Sequence, residues 1–322
     1  MTTGDDAVGA AAAVLGDRAR REVPLGPFTT YGVGGPAALL LERCGPADLQ
    51  LARRAVAVSG LPVLVVGRGS NLLVADRGFP GLAVTLGPDF ATIATDGPGV
   101  VPGAPQVVRA GGAVSFPVLA RRTAALGLRG LEWAVGVPGS VGGAVRMNAG
   151  GHGSDVRARL TRAWLFDLAA EASAAGEVEV GAGDLALGYR RSAVTTLQVV
   201  TGAEFALTTG DRADAEAEIA EVVRWRREHQ PGGANAGSVF ANPDGDSAGR
   251  LIDAAGLRGH RRGSASVSSK HANFVQVDEG GSADDVQTLI EEIRNTVKTQ
   301  LGVDLTLENR LVGFDPSPSS GG

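Results

Sequence analysis

Four glycine clusters interrupt the first half of this chain: "YGVGGPA" (31–37), "GRGSN" (67–71), "RAGGA" (109–113) and "GVPGSVGGAVRMNAGGHG" (136–153). Glycine accepts a left-handed backbone and lets another group come close to the main chain, and it weakens any helix or strand that contains it. A chain broken in this way folds there into short elements joined by shaped turns. The 48 glycines follow no fixed period, which excludes a collagen-like repeat. Their concentration suggests a large ligand lying along loops. The plainer reading is a loop-rich chain with a bias toward Gly, Ala and Arg.

The 322 residues leave room for two domains. With 43% hydrophobic and 20% charged residues, the chain can bury ordinary cores. A net charge of -5 gives no basic footprint for nucleic acid. Cys44 is the only cysteine, so a disulfide framework and a Cys-based zinc site are both excluded. His152, His229 and His260 are scattered without metal-ligand spacing, and no metal is expected. No apolar run is long enough to span a bilayer. The start, "MTTGDDAVGAAAAVLG", is acidic where an export signal is basic. A cytoplasmic monomer without membrane insertion is the expectation.

Along the chain, residues 1–22 read as a weak Ala-rich helix or a mobile leader. A strand is expected at 37–43, a helix at 47–59 ended by Gly60, and strands at 61–67 and 81–87. Ser115 can cap a helix closed by Gly127. Strands recur at 162–168, 178–181 and 197–207. Helices follow at 211–230, with Ala215, Ile219 and Val222 on one face, and at 247–257. A third is expected at 282–302, with Val286, Ile290, Ile293 and Val297 on one face and Gly302 beyond its end. Strands are expected at 267–277 and 303–314, before a disordered tail at 315–322. This mixture reads as α+β, with a first domain over 23–207 and a second over 208–314.

Two nucleotide motifs fail. There is no G-x-x-x-x-G-K-[ST]. Gly32, Gly34 and Ala37 fit G-x-G-x-x-[GA], but no core strand precedes them, Pro36 lies among them and a strand follows, so a dinucleotide fingerprint is rejected. The sequence Gly67-Arg68-Gly69-Ser70-Asn71 is a different device. Successive N–H groups in such a turn form a concave nest for an anion, and Ser70 and Asn71 add neutral donors. A plain strand-to-strand turn is the alternative. The long loop at 136–156 would be an entropic liability with nothing to order it.

Seven stretches together carry a resemblance: "TTYGVGGPA", "PVLVVGRGSNLLVAD", "GLEWAVGVPGSVGGAVRMNAG", "LGYRRS", "AGSVFANP", "AGRLIDAAGLRG" and "VSSKHANFVQV". Their content and order resemble the UDP-N-acetylenolpyruvoylglucosamine reductases over roughly residues 24 to 313. The resemblance implies a two-part FAD-binding domain of the vanillyl-alcohol-oxidase type, then an α+β substrate domain. It implies non-covalent FAD, with NADPH as co-substrate and UDP-N-acetylglucosamine enolpyruvate as the nucleotide-sugar substrate. Gly67, Arg68, Gly69, Ser70, Asn71 and Leu72 are expected at the FAD pyrophosphate. Tyr31, Gly136, Pro138, Gly139, Ser140, Gly142, Gly143, Asn148, Ala149 and Gly150 are expected along the rest of the cofactor.

The family reaction reduces an enol ether. It needs a proton for C2 and a cation for the charge that develops beside the carboxylate. By resemblance Ser238 donates the proton, and Arg190 stabilises the charge with a guanidinium able to grip a carboxylate through two parallel bonds. Glu308 is the matching carboxylate, with a strand-face pair to Arg310 as its competing role. Tyr189, Arg226, Asn242 and His271 are expected at the substrate. Arg226 continues an apolar stripe, so a snorkelling edge residue is its plainer reading.

The chain departs from the family pattern at Gly150-Gly151-His152-Gly153, where an alanine and a tyrosine often follow "NAG". It also has no tyrosine-bearing loop between "YRRS" and the 211–230 helix, and so resembles the shorter subtype. Two other functions compete with this reading. A covalent flavin oxidase lacks a histidine before His152 to tether the flavin. A non-catalytic nucleotide-sugar binder would have no need to keep Ser238, Arg190 and Glu308 together.

Overall fold

The computed structural model describes residues 4–95, 105–171 and 176–315. The expected tail falls almost wholly on 316–322, outside the described residues. The chain divides into two compact units. The first is Met1–Arg20, Leu39–Arg68 and Gly81–Glu228; the second is Arg21–Ala38, Gly69–Pro80 and His229–Gly322. The sequence placed its boundary near 208, where strands give way to helices. In the structure the helix Arg212–His229 belongs to the first unit up to residue 228, because Ala215, Ile219 and Val222 bury in that unit's core.

The first unit is built on an antiparallel sheet. Its strands run in the order Val178–Gly181, Leu160–Asp167, Gln198–Thr209, Pro105–Gly111, Ile93–Thr95, with Leu128–Arg129 also pairing Gln198–Thr209. Pairs such as Leu165 with Val200 and Ala203 with Ala110 set the register. The core includes Phe116, whose ring meets Trp133 edge-on at 5.5 Å and Phe205 at 6.2 Å. The helix Phe116–Ala125 starts at Ser115, which occupies the cap position but makes no side-chain cap bond, contrary to expectation. Gly127 takes φ +70 after that helix. A second core gathers the helix Pro46–Ser59, ended by left-handed Gly60, and the parallel strands Val63–Val65 and Phe79–Leu86. Residues Gly4–Leu15 form a helix with Ala11 and Leu15 buried in this core, so that part of the expected leader is packed structure.

In the second unit the helix Ala283–Leu301 carries the expected stripe. Val286, Ile290, Ile293 and Val297 are buried together with Leu289, and Gly302 closes the helix at φ +72. Beside it lies a three-stranded antiparallel sheet, Arg261–Arg262, Ala265–Val267 and Val275–Val277. The strand expected over 267–277 is broken because the Ser268 hydroxyl accepts from the Lys270 and His271 N–H groups and turns the chain. The strand expected over 303–314 is reduced to Arg310–Val312, parallel to Leu72–Val74. Residues before it run beside 238–241, joined by one bridge, Phe240 to Leu307.

Candidate active site

In the first unit a cavity of about 230 Å³ has four glycines, Gly67, Gly112, Gly142 and Gly143, in its lining. Five residues expected at the cofactor line it: Gly67, Arg68, Ser140, Gly142 and Gly143. Gly67 and Gly142 are required by distance. A Cβ on Gly67 would stand 2.6 Å from Ser140 Oγ, and one on Gly142 would stand 2.9 Å from the Val200 carbonyl oxygen. Ser140 caps the helix Val141–Arg146, its hydroxyl accepting from the Gly143 N–H at 3.3 Å. Gly112, Arg146, Gln198 and Val200 also line the cavity and were not assigned to it from sequence. Gly112 sits in the third glycine cluster, which was the available signal.

Four glycines, a serine and two arginines in one lining suit the phosphate-bearing middle of a dinucleotide. The volume holds part of such a molecule. The expected FAD therefore fits these residues, with Gly67, Gly142 and Gly143 offering close approach and Arg68 and Arg146 offering charge. A Cβ on Gly112 would lie 2.0 Å from the Val200 carbonyl oxygen. Gly112→Ala must push two paired segments apart, at a cost of about 1–3 kcal/mol. Thermal denaturation should show a lower midpoint, and the purified variant should carry less flavin. An unchanged midpoint and flavin content would contradict this account of the wall.

Arg190 is at the corner of a tight turn in which Gly188 and Arg191 exchange backbone bonds at 3.0 and 3.2 Å. Its backbone is left-handed, φ +55, which is rare for a branched or bulky residue and costs energy. Its guanidinium donates to the Gly150 carbonyl at 3.0 Å and lies over the Tyr189 ring at 4.9 Å. Tyr189 is exposed. Asn148 was expected to donate to the cofactor, but its side chain is committed elsewhere. It gives its N–H groups to Asp155 and to the Gly188 carbonyl at 3.0 and 2.9 Å, and accepts from the Arg157 N–H at 2.9 Å. At 1% exposure it is a buried clamp that ties the 148–157 loop to the arginine turn.

Arg226 continues the buried stripe of its helix toward Gly136. A Cβ on Gly136 would stand 3.3 Å from Arg226, from His152 and from Val222 alike. His152 meets Trp225 edge-on at 5.0 Å. Burial, and then the Arg226 charge, push the His152 pKa below its ordinary value. Burial also lowers the Arg226 pKa. His152 was not assigned a site from sequence; its departure from the family pattern was the only signal. Of the other loop positions, Pro138 is exposed, Gly139 accepts from the Phe116 N–H at 3.0 Å, and Ala149 accepts from the Val156 N–H at 3.0 Å.

In the second unit Gly69, at φ +62, packs so tightly that a Cβ would stand 2.1 Å from the Phe28 carbonyl oxygen. Ser70 follows, and Leu72 opens the strand paired to Arg310–Val312. Asn71 was expected to donate to phosphate. Its side chain donates one hydrogen to the Glu308 carbonyl at 3.1 Å and accepts from Asn309 Nδ2 at 3.0 Å. The segments carrying Ser238 and Glu308 lie side by side: Glu308 N–H donates to the Val239 carbonyl at 2.8 Å and Ala241 N–H to Thr306 at 2.9 Å. The preceding Gly237 takes φ +75. Tyr31, expected at the cofactor, is only 1% exposed and sits in this unit's core. Its hydroxyl donates to Asn309 Oδ1 at 3.3 Å, and burial raises its pKa. Its side chain has no surface to give a ligand.

Asn242 spends its oxygen on the Ala248 N–H at 3.1 Å, at the start of the helix Ala248–Ala254. His271 accepts from the Asn273 N–H at 3.2 Å and packs edge-on against Phe274, and burial lowers its pKa. Among the described residues no helix is long and apolar enough to cross a membrane, and no cluster of His, Cys, Asp and Glu could hold a metal.

Residues 229–312 match the model of the UDP-N-acetylenolpyruvoylglucosamine reductase C-terminal domain, and residues 45–167 match that of an FAD-binding domain. The chain is 40% identical over 305 residues to UDP-N-acetylenolpyruvoylglucosamine reductase 2 of Symbiobacterium thermophilum, across 93% of this chain and 94% of that protein. It is 42% identical to the reductase of Paramagnetospirillum magneticum, across 91% of each. Among solved structures, the UDP-N-acetylenolpyruvylglucosamine reductase of Thermus caldophilus is similar with a TM-score of 0.76 and 34% identity, over 91% of this chain and 99% of that one.

Proposed function

The chain belongs to the family of UDP-N-acetylenolpyruvoylglucosamine reductases, and from that premise we propose that it reduces the enolpyruvyl ether of UDP-N-acetylglucosamine enolpyruvate to UDP-N-acetylmuramate, a peptidoglycan precursor, with FAD as cofactor and NADPH as electron donor. The observation that carries the reading is the glycine-lined cavity, in which a Cβ on Gly112 or Gly142 would collide with a backbone carbonyl and one on Gly67 with a hydroxyl. The first unit then takes the cofactor-binding role.

When bound, FAD would supply the hydride that NADPH provides, for delivery to C3 of the enolpyruvyl group. The protein's own residues do the rest. The Ser238 hydroxyl gives a proton to C2, a strong base at that moment, and recovers it from solvent; a positioned donor of this kind contributes about 10²–10⁴-fold. The Arg190 guanidinium stabilises the negative charge that grows beside the carboxylate. Glu308 holds the acid end of the substrate through a proton or a water. Arg226, Tyr189, Asn242 and His271 belong to the substrate-binding set; Asn242 keeps its amide N–H groups for that purpose, since only its oxygen is used by the helix.

The test is spectroscopic and kinetic. Purified protein should be yellow, with a flavin released by acid. It should oxidise NADPH rapidly only when the enolpyruvyl nucleotide sugar is present. A colourless protein that refuses added FAD would overturn the reading.

A further inference from the structure

We infer that Asn309 is a positioning residue for the proton donor Ser238. The inference rests on the role given to Ser238 above. Asn309 is 3% exposed and lies beside Glu308. Its amide nitrogen is within hydrogen-bond distance of three oxygens: Asn71 Oδ1 at 3.0 Å, the Ala236 carbonyl at 3.1 Å and the Ser238 carbonyl at 3.1 Å. Its own oxygen accepts from the Tyr31 hydroxyl at 3.3 Å. One buried amide thus touches the turn at Asn71 and the two peptides on either side of the Gly237-Ser238 pair.

The geometry assigns it more than a filling role. Gly237 is the least restrained residue type, and at φ +75 it occupies a conformation that only a fixed surrounding selects. The Ala236 carbonyl belongs to the peptide entering Gly237, and the Ser238 carbonyl to the peptide leaving Ser238. Holding both on one nitrogen fixes the backbone on either side of the serine. The Val239 N–H, bonded to the Asn273 carbonyl at 2.9 Å, holds the other side of that second peptide. The direction of the Ser238 Cα–Cβ bond follows from these anchors. By occupying Asn71 Oδ1, Asn309 also sets which way the Asn71 amide faces, and so which group donates to the Glu308 carbonyl. A donor misplaced by about 1 Å costs on the order of 100-fold in rate.

The experiment compares Asn309→Asp, Asn309→Ala and Tyr31→Phe with Ser238→Ala, each measured per bound flavin. Asn309→Asp keeps the volume but replaces the donor with an acceptor facing three oxygens. Tyr31→Phe removes only the hydroxyl that orients the amide. The two Asn309 variants should bleach their flavin with NADPH at the wild-type rate, yet lose about 10–100-fold in kcat. Their turnover should show a larger solvent deuterium isotope effect than wild type, because proton delivery has become limiting. Tyr31→Phe should show the same pattern, more weakly. A core residue without a positioning role would lower the thermal midpoint and the flavin content but leave kcat per flavin and the isotope effect unchanged. That result overturns the inference, as does equal slowing of the NADPH step, or failure of all three variants to give flavin-bound protein. If Ser238→Ala itself turned over normally, the role of Ser238 would fall instead. Impaired Ser238→Ala beside normal Asn309 variants would sink the positioning role alone.

Discussion

Ser238→Ala should yield a folded, yellow protein that NADPH still bleaches at the normal rate and that turns over substrate about 10²–10⁴-fold more slowly than wild type. The substitution removes one hydroxyl and leaves the backbone anchors of the segment in place. The Val239 N–H still reaches the Asn273 carbonyl, the Glu308 N–H still reaches the Val239 carbonyl, and Asn309 still holds the Ala236 and Ser238 carbonyls. Ser238 is half-buried and precedes the fully buried Val239 and Phe240, so alanine fits the site without a cavity of consequence. Stability should stay within about 0.5 kcal/mol, the usual range for a change that touches no core packing. The loss of rate corresponds to about 3–5 kcal/mol of barrier, far more than any structural effect of one missing hydroxyl. Rapid-mixing absorbance separates the NADPH step from the substrate step. Slowing of both, or normal turnover, would remove Ser238 from the role of proton donor.

Much of the fold was legible where one periodicity dominated. Val286, Ile290, Ile293 and Val297 recur at helical spacing, and nothing in the segment competes with them, so the helix Ala283–Leu301 appears where the pattern puts it. The last segment misled because its alternation is real while its partner is irregular. Leu305, Leu307, Asn309 and Leu311 fall on one face by period two. Only Arg310–Val312 finds a true strand, since residues before it lie along the turn-rich stretch 236–241. That same alternation points Asn309 inward, and it was the signal available for this buried hub.

The site was legible in its glycines and less so in its amides. A glycine needed for close approach leaves a mark in composition, and Gly67, Gly142 and Gly143 do line the cavity. An asparagine leaves no mark that tells whether its hydrogen bonds go to a ligand or to the protein. Asn148 is wholly spent within the protein, and Asn71 gives its oxygen and one amide hydrogen to the Asn309-Glu308 segment. Tyr31 was likewise read as a contact and is a core side chain. The unit boundary was missed for a related reason. A change of element type near 208 says nothing about which core the next helix buries into, and that is decided by Ala215, Ile219 and Val222.

Arg190→Asn should fold as well as wild type and lose about 10²–10³-fold in turnover, the scale of removing one preorganised donor from a developing negative charge. Arg190 is held at φ +55. Asparagine tolerates that conformation better than most residues, so the backbone of the turn, with Gly188 and Arg191 paired, has no reason to move. What disappears is the guanidinium that donates to the Gly150 carbonyl and covers the Tyr189 ring. Tyr189 is already exposed, so losing that contact costs little stability. A strained backbone kept under an arginine fits a side chain selected for charge and direction rather than for the fold. Arg190→Lys restores the charge without the planar fork, and should recover only part of the rate, with KM rising as two-point grip on the carboxylate is lost. Thermal midpoints within about 2 °C of wild type, beside these losses in kcat, are the expected result. A stable Arg190→Asn protein with undiminished kcat would show that the strain serves some purpose other than catalysis.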